Sequence, residues 1–570
     1  MRLKIIRIII TVLFIGVILH LFNAQVIRGK YYHQLSTQNR IRVVPLDGWR
    51  GAIRDRNGVV LADNKLAYNL AVTPQDITDV EPLFEFLEQV LDIPSRELMR
   101  RYQQNREAPF APVVLAEDIT REKAIVIEEN EYRFPSIWVQ KTFRRFYPLK
   151  NNSAHVLGYV DKVNEDKFEN LQEYGYSPQS LVGYLGVEEY YDRYLRGEEG
   201  GLQVEVNNRG KQVRLLSIKD AKQGQDIELT IDSSIQGMGA ELLQGRVGSV
   251  VMMDMESGEI LAMVSSPDYD PNVFVNPAFN KIKVDILTDT RGPLINRVVR
   301  GTYPPGSVFK IPMAFASLDS KKVSLLTRFN CPGYLEVGGR KFGCTHVHGE
   351  QDLMEAIAHS CDVYFYHVGQ LLGADMIAYY GKMFGLGRLT GIDLPYEKPG
   401  FIPERKMYRL SGKEWYLGNT LNFSIGQGDT LATSLQLARM LSTVALNGAE
   451  VQPHVIRSIN GSPVSKFNFT RKIKLNPELF TEIKKGLRAT VADPTGTAYD
   501  LNMPDLYIAG KTGTAQTMRG RESHAWFAGY ALGKSRHVSF CVFLEYGGSS
   551  QNACILGRQL FERMREKGLI

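Results

Sequence analysis

The chain has 570 residues, 44% hydrophobic and 23% charged, a balance that excludes wholesale disorder, collagen and low-complexity fibres. At roughly 100–200 residues per domain, two or three domains are expected. The 68 Lys+Arg against 62 Asp+Glu leave a net charge of +6 with no basic block for nucleic acid, and five cysteines do not make a disulfide scaffold.

Between Arg7 and Arg28 the run IIITVLFIGVILHLFNAQVI holds no Asp, Glu, Lys or Arg. At ~1.5 Å per residue it covers about 30 Å, the hydrocarbon thickness of a bilayer. Arg2, Lys4 and Arg7 precede it, which predicts a cytoplasmic N-terminus. Cleavage as a signal peptide after Ala24 would put Phe22 at the −3 position, against the small-x-small preference. Residues 1–7 are therefore read as a cytoplasmic tail and 8–27 as an uncleaved single-pass anchor. No second apolar run of that length follows, so the rest is expected outside the cytoplasm.

Residues 28–225 read as one α+β region. A strand-like stretch, Ile41 to Leu46, comes first. Arg50-Gly51-Ala52-Ile53-Arg54-Asp55-Arg56-Asn57-Gly58-Val59-Val60 then places β-prone arms around an Asn-Gly turn, a hairpin pattern. Helical apolar spacing from Val80 to Gln104 suggests a small helical insertion over about residues 77–140. Arg145-Phe146-Tyr147-Pro148, His155 to Tyr159, and Gly183 to Glu188 follow. No nucleophile–base pair stands out here, so this region is expected to be a non-catalytic packed module.

Residues 226–570 begin with the alternating strand Ile227 to Ile231, ending at Asp232, a helix N-cap type. Ser249–Met255 and Glu259–Val264 read as strands joined by Glu256-Ser257-Gly258. The chain closes with a strand from His537 to Tyr546 and a basic amphipathic helix from Ile555 to Lys567. Strands at both ends with helices between predict a single α/β sheet domain.

Three motifs occur in that domain. In Pro304-Pro305-Gly306-Ser307-Val308-Phe309-Lys310 the turn residues place Ser307 at a helix start, where free N–H groups favour developing negative charge. Lys310 follows one turn later, positioned to activate a serine. Pro312 lacks a donor and is expected to kink this helix. Ser360-Cys361-Asp362 offers a hydroxyl and a polar carbonyl two residues apart on a turn. Lys511-Thr512-Gly513-Thr514 follows an apolar strand and offers a cation and hydroxyls for a carboxylate, with Gly513 permitting close backbone approach.

S-x-x-K, S-x-D and K-T-G in this order, behind an anchor, resemble the signature of the class B penicillin-binding proteins. The resemblance extends to the R-G-x-I-x-D-R-N-G hairpin, Ser424-Ile425-Gly426-Gln427-Gly428, and His524 to Tyr530. Within the class the chain is most similar to the penicillin-binding protein 2 group of cell elongation. The pointers are Asp362, where most relatives carry Asn, and the end at Ile570 without a repeat domain. The resemblance implies a membrane-anchored peptidoglycan D,D-transpeptidase: an α+β pedestal of the dimerisation type, then a penicillin-binding transpeptidase domain with a central antiparallel sheet flanked by helices. It implies that Ser307 attacks the D-Ala-D-Ala carbonyl of a stem peptide and Lys310 serves as base. Ser360 would relay the proton to the leaving amine, and Lys511 would set the local field. Thr512 and Thr514 would hold the terminal carboxylate, and the N–H groups of Ser307 and Thr514 would form the oxyanion hole. An ionised Asp362 only accepts hydrogen bonds, so it could instead pair with Lys310 or Lys511. β-Lactams are implied ligands. A SEDS-family glycan polymerase and cell-shape scaffold proteins are implied partners, in the inner membrane.

A division-type transpeptidase, a β-lactamase and a non-catalytic scaffold or β-lactam sensor are the other readings. Glu414 to Asn419 superficially resembles a lactamase E-x-x-L-N box, but its spacing is one residue too long. The intact motif hydroxyls and lysines speak against the scaffold.

Cys331, Cys344, His348 and Cys361 are donors of the kind that form a tetrahedral Cys₃His zinc site, though their spacing fits no standard finger. Some penicillin-binding protein 2 relatives carry zinc in this loop, with aspartates at positions similar to Cys331 and Cys344. The resemblance therefore implies a structural zinc, with His346 in reserve and no cofactor needed for the chemistry. A Cys331–Cys344 disulfide and free thiols remain alternatives. Cys541 and Cys554, beside apolar elements, are expected to be structural.

Overall fold

The N-terminal helix Arg2–Phe22 continues into a wider turn at Asn23–Ile27, and its apolar side chains from Ile5 to Phe22 are exposed. Among the described residues it is the one helix long and apolar enough to cross a membrane. The computed structural model describes residues 2–32, 41–46, 48–106, 112–176, 180–198, 200–206, 212–465, 467, 471–517 and 520–570. Its chain divides into two compact units that alternate along the sequence. One is residues 1–50, 64–144 and 196–224; the other is 51–63, 145–195 and 225–570.

In the first unit, strand Ile41–Leu46 pairs antiparallel with Gly200–Val206, which pairs with Gln212–Lys219. The expected helical insertion is instead α/β. Helices Val80–Leu91, Ser95–Asn105 and Arg121–Glu129 share a core with strand Val113–Ile119 through Leu83, Phe84, Leu98, Leu115 and Ile127. The helical run breaks at Asp92, whose backbone is left-handed (φ 60°), ahead of Pro94.

In the second unit the Asn-Gly hairpin forms as expected. The Asp55 carboxylate accepts from the N–H of Asn57 and of Val59, both at 2.8 Å. Ile53–Arg54 runs parallel to Ile227–Leu229, and Ala52 N donates to Asp226 Oδ1 at 2.7 Å. Arg145 and Glu188 form a buried ion pair at 2.6 Å; Arg145 Nη1 also donates to Gly51 O and the Tyr147 hydroxyl to Glu188 Oε1. A buried pair needs such further bonds to offset its desolvation. That contact accounts for three of the motifs read before Asp226.

The rest of this unit is built on α1 (Ser233–Leu243), β1 (Gly248–Asp254), β2 (Ile260–Ser266), α2 (Lys310–Asp319), α3 (Leu353–Ala358), α4 (Asp362–Met383, broken at Gly373), α5 (Leu417–Ser424), α6 (Ser434–Ala445), α7 (Pro477–Ala492), β3 (Tyr507–Ala515), β4 (His524–Leu532), β5 (His537–Leu544) and α8 (Ser550–Glu566). Asp232 caps α1, accepting from Ser234 N and Ile235 N. The sheet is antiparallel in the order β2-β1-β5-β4-β3. Along β4, Trp526, Ala528 and Tyr530 enter the core shared with α2, α4 and α6, while Ala525, Phe527 and Ala531 enter the one shared with α1 and α8. Both faces are covered, so the strands read as continuous apolar runs rather than alternating ones.

Candidate active site

Ser307 lies in a 3₁₀ turn, Gly306–Phe309, that feeds α2 at Lys310. Pro312 is the third residue of α2, inside the first turn, where N–H groups lack intrahelical acceptors. Its missing donor therefore costs no bond, and the expected kink is replaced by the change from 3₁₀ to α at Phe309. Ser307 is half-buried, while Lys310 is fully enclosed.

Two backbones and one indole grip this turn. Gly306 has φ 56°, and a Cβ there would meet Thr514 O at 2.7 Å. A Cβ on Gly513 would meet Pro305 O at 2.7 Å and Val308 Cγ2 at 3.0 Å. Gly513 thus lets β3 press against the serine turn, a demand of packing beyond the substrate access expected from the sequence. Gly306 N donates to Gly426 O at 3.0 Å, Gln427 Nε2 to Thr514 O at 3.2 Å, and Trp526 Nε1 to Pro304 O at 3.0 Å. The Ser424–Gly428 and His524–Tyr530 segments are therefore supports of the serine turn.

Lys310 Nζ donates to Asp362 Oδ1 at 2.6 Å, Ser360 O at 2.8 Å and Ser360 Oγ at 3.3 Å. Its hydrogen bonds among the described residues thus go to the Ser360 turn, and the choice left open for Asp362 falls on Lys310. Ser360 links α3 to α4 with φ 56°, a left-handed backbone uncommon for a residue with a Cβ. Burial pushes the Asp362 carboxyl up, opposed by Lys310.

Lys511, on β3, is fully buried and donates to Thr512 Oγ1 at 3.3 Å. Burial, reinforced by Lys310, pushes its ammonium well below the usual lysine range. Thr512 is buried and its hydroxyl meets Thr497 Oγ1 at 2.8 Å, whereas Thr514 is exposed. Thr497 was not singled out in the sequence. Its clue was the Thr-Gly-Thr turn after α7, but its contact depends on tertiary structure. Glu414, whose spacing already departs from a lactamase box, is exposed and accepts from the Tyr416 hydroxyl.

Behind the Ser360 turn, Cys331, Cys344, His348 and Cys361 bring one donor atom each within 4.8 Å of one another. His348 Nδ1 lies 3.6 Å from Cys331 Sγ and 3.5 Å from Cys344 Sγ. Zn–S of about 2.3 Å and Zn–N of about 2.0 Å at tetrahedral angles put S and N roughly 3.5 Å apart, so the donors fit that ion. None of the five cysteines is in a disulfide, so the Cys331–Cys344 bridge is not formed. His346 contributes its carbonyl to Cys331 Sγ rather than its ring. Asp362 N, in the first turn of α4, donates to Cys344 Sγ at 3.2 Å. The Cys361 thiol and such N–H groups pull the Cys344 thiol down, while Cys361 is pushed up. Cys541 and Cys554 are buried in the core as expected.

Residues 248–560 match the family described as penicillin binding protein transpeptidase domain, and 45–229 the penicillin-binding protein dimerisation domain. The chain is 33% identical to the peptidoglycan D,D-transpeptidase MrdA of Acinetobacter baumannii over 93% of this chain and 83% of that one. It is 31% identical to MrdA of Escherichia coli, over 97% and 93%. Among solved structures, the penicillin-binding protein PBP2 of Helicobacter pylori, in its complex with MreC, matches at TM-score 0.82 and 26% identity over 93% of this chain and all of that one. A chain from a peptidoglycan synthase complex matches at TM-score 0.74 and 30% identity, over 98% and 97%.

Proposed function

The chain belongs to the class B penicillin-binding proteins, and on that footing we propose that it is a serine D,D-transpeptidase that cross-links peptidoglycan during cell elongation. The observation that carries the reading is the convergence of three separate segments: the Ser307 turn, the Ser360 turn bonded to Lys310, and the Lys511 strand pressed against Pro305.

Ser307 Oγ attacks the carbonyl carbon between two D-alanines of a donor stem, and Lys310, having handed its own proton to Asp362 across their 2.6 Å contact, takes the hydroxyl proton. Asp362 holds Lys310 against Ser360 while it acts. The oxyanion is met by the N–H groups of Ser307 and Thr514. Ser360 passes a proton to the departing D-Ala amine in the field of Lys511. An amine of a neighbouring stem then attacks the acyl-enzyme, forming the cross-link and freeing Ser307. Exposed Thr514 is the first contact for the substrate carboxylate, with Thr512 behind it. A β-lactam acylates the same serine.

Cys331, Cys344, His348 and Cys361 would hold a structural zinc, which when bound would lend rigidity to the back of the Ser360 turn and no chemistry to acyl transfer. The N-terminal helix anchors the chain in the inner membrane, with the short tail cytoplasmic and the catalytic unit outside. Residues 28–225 serve as the pedestal and 226–570 as the transpeptidase domain. Partners of this reading are a SEDS-family glycan polymerase and a cell-shape scaffold, supported by the H. pylori PBP2–MreC complex and the peptidoglycan synthase complex among its structural matches.

The test is labelling of the full chain with a fluorescent penicillin, followed by peptide mass spectrometry and the rate of label loss. The adduct is expected on the Ser307 peptide, absent from Ser307→Ala, and slow to leave. An adduct elsewhere, or rapid hydrolysis of the label, overturns the reading.

A further inference from the structure

The segment Asp493-Pro494-Thr495-Gly496-Thr497 follows α7 and belongs to none of the three motifs. It is folded tightly: Asp493 Oδ1 accepts from Thr495 N at 2.8 Å and Thr495 Oγ1 at 2.7 Å. A Cβ on Gly496 would meet Thr490 O at 2.4 Å, so the turn lies flat on the end of α7. One side is fastened just ahead of Ser360: Thr497 N donates to Ala358 O at 3.1 Å, and His359 Nε2 lies 3.0 Å from Thr495 Oγ1. The other side touches β3, where Thr497 Oγ1 is 2.8 Å from Thr512 Oγ1.

Lys511 Nζ meets this contact through Thr512. Among the described residues its hydrogen bonds go to Thr512 alone, at Oγ1 (3.3 Å) and at the carbonyl (3.5 Å). Thr512 is 3% exposed, so water does not fix its hydroxyl, and the rotor follows the neighbour that bonds it. That neighbour is Thr497, itself tied to the stretch that carries Ser360. One residue thus links the strand of Lys511 to the turn of Ser360 through a backbone bond on one side and a hydroxyl on the other.

We propose that Thr497 is a positioning residue of the transpeptidase site, its hydroxyl orienting Thr512 and thereby holding Lys511 in place relative to Ser360. The inference rests on the function proposed above and adds a residue to it. A simple loop staple would need only the Thr497 backbone bond and the packing of its methyl. The positioning role needs the hydroxyl and needs Thr512.

The experiment is a double-mutant cycle on the detergent-solubilised full chain, read as the second-order rate of penicillin acylation, with the melting temperature recorded alongside. Thr497→Val, nearly isosteric, is expected to slow acylation by about tenfold, and Thr497→Ser to stay within about threefold of wild type. In a Thr512→Val background the further loss from Thr497→Val should shrink below about twofold. Should Thr497→Val fail to fold, Thr497→Ala takes its place in the cycle. Equal losses in both backgrounds, or a Thr497→Val chain that acylates like wild type, overturn the inference and leave the transpeptidase reading standing. A wild-type chain that takes no penicillin overturns both.

Discussion

Lys310 Nζ lies 2.6 Å from Asp362 Oδ1, with the lysine side chain fully enclosed and the aspartate 15% exposed. Removing one member of such a pair strands the other, which costs more than the pair contributes. Asp362→Leu should therefore lose about 3 kcal/mol of stability in urea unfolding. Asp362→Asn keeps an oxygen for Nζ and should lose no more than about 1 kcal/mol. Equal losses in the two variants would show that the contact does not hold Lys310.

Gly513→Ala places a methyl 2.7 Å from Pro305 O, and that oxygen belongs to backbone that cannot swing away. The expected result is a loss of about 1–3 kcal/mol together with slower acylation, because the serine turn itself must shift. Gly237→Ala, in α1, has only the Asn152 side chain at 3.5 Å and should be neutral or stabilising. Matching melting and acylation in the two variants would refute the account of Gly513.

Elemental analysis of protein purified in metal-free buffer should find about one zinc per chain, lost on replacing Cys331, Cys344 or Cys361 by serine and kept on replacing Cys541. Chelation should lower the melting temperature by several degrees and slow acylation, with the adduct still on Ser307. Less than about 0.2 zinc per chain would discard the site.

His155 is buried with Nε2 donating to Pro293 O at 2.6 Å. Burial, with Arg297 adding to it and Pro293 O opposing, lowers the imidazole from 6.5 to about 4. The unfolded chain therefore takes up this proton first as pH falls. The histidine's contribution is whole above pH 6.5 and is lost as pH falls towards 4. The loss amounts to roughly 3 kcal/mol. Thermal unfolding of wild type should fall off more steeply over that window than that of His155→Gln. Parallel curves would refute it.

Much of the site was legible because its chemistry sits on local turns. The Gly306-Ser307 turn, the capping aspartate at 232 and the apolar runs of β1, β2 and β5 are written in neighbouring residues. What escaped depends on distant partners. Glu117 and Asp118 interrupt the apolar pattern of Val113–Ile119, and only the cross-strand pairing with Tyr68 to Val72 makes it a strand. Whether Asp362 meets Lys310 or Lys511 is decided by how α2, α4 and β3 pack. The Arg145–Glu188 pair was visible as two motifs but not as one contact. Pro312 reads as a kink only if the helix begins well before it, and a helix's first residue is harder to place than its existence.

β1 sits between β2 and β5, with Val251 opposite Met263 on one side and Cys541 on the other. As the chain leaves the ribosome, β1 and β2 come early and β5 almost last. Until then β1 keeps an open edge, and β3 and β4 have no sheet to join. Ser307 and Lys310 are made long before the strand that bears Lys511, yet the turn that holds them is gripped by that strand. A nascent or truncated chain therefore has Ser307 but no assembled cleft, and on the proposed function a β-lactam is expected to be captured only by finished molecules.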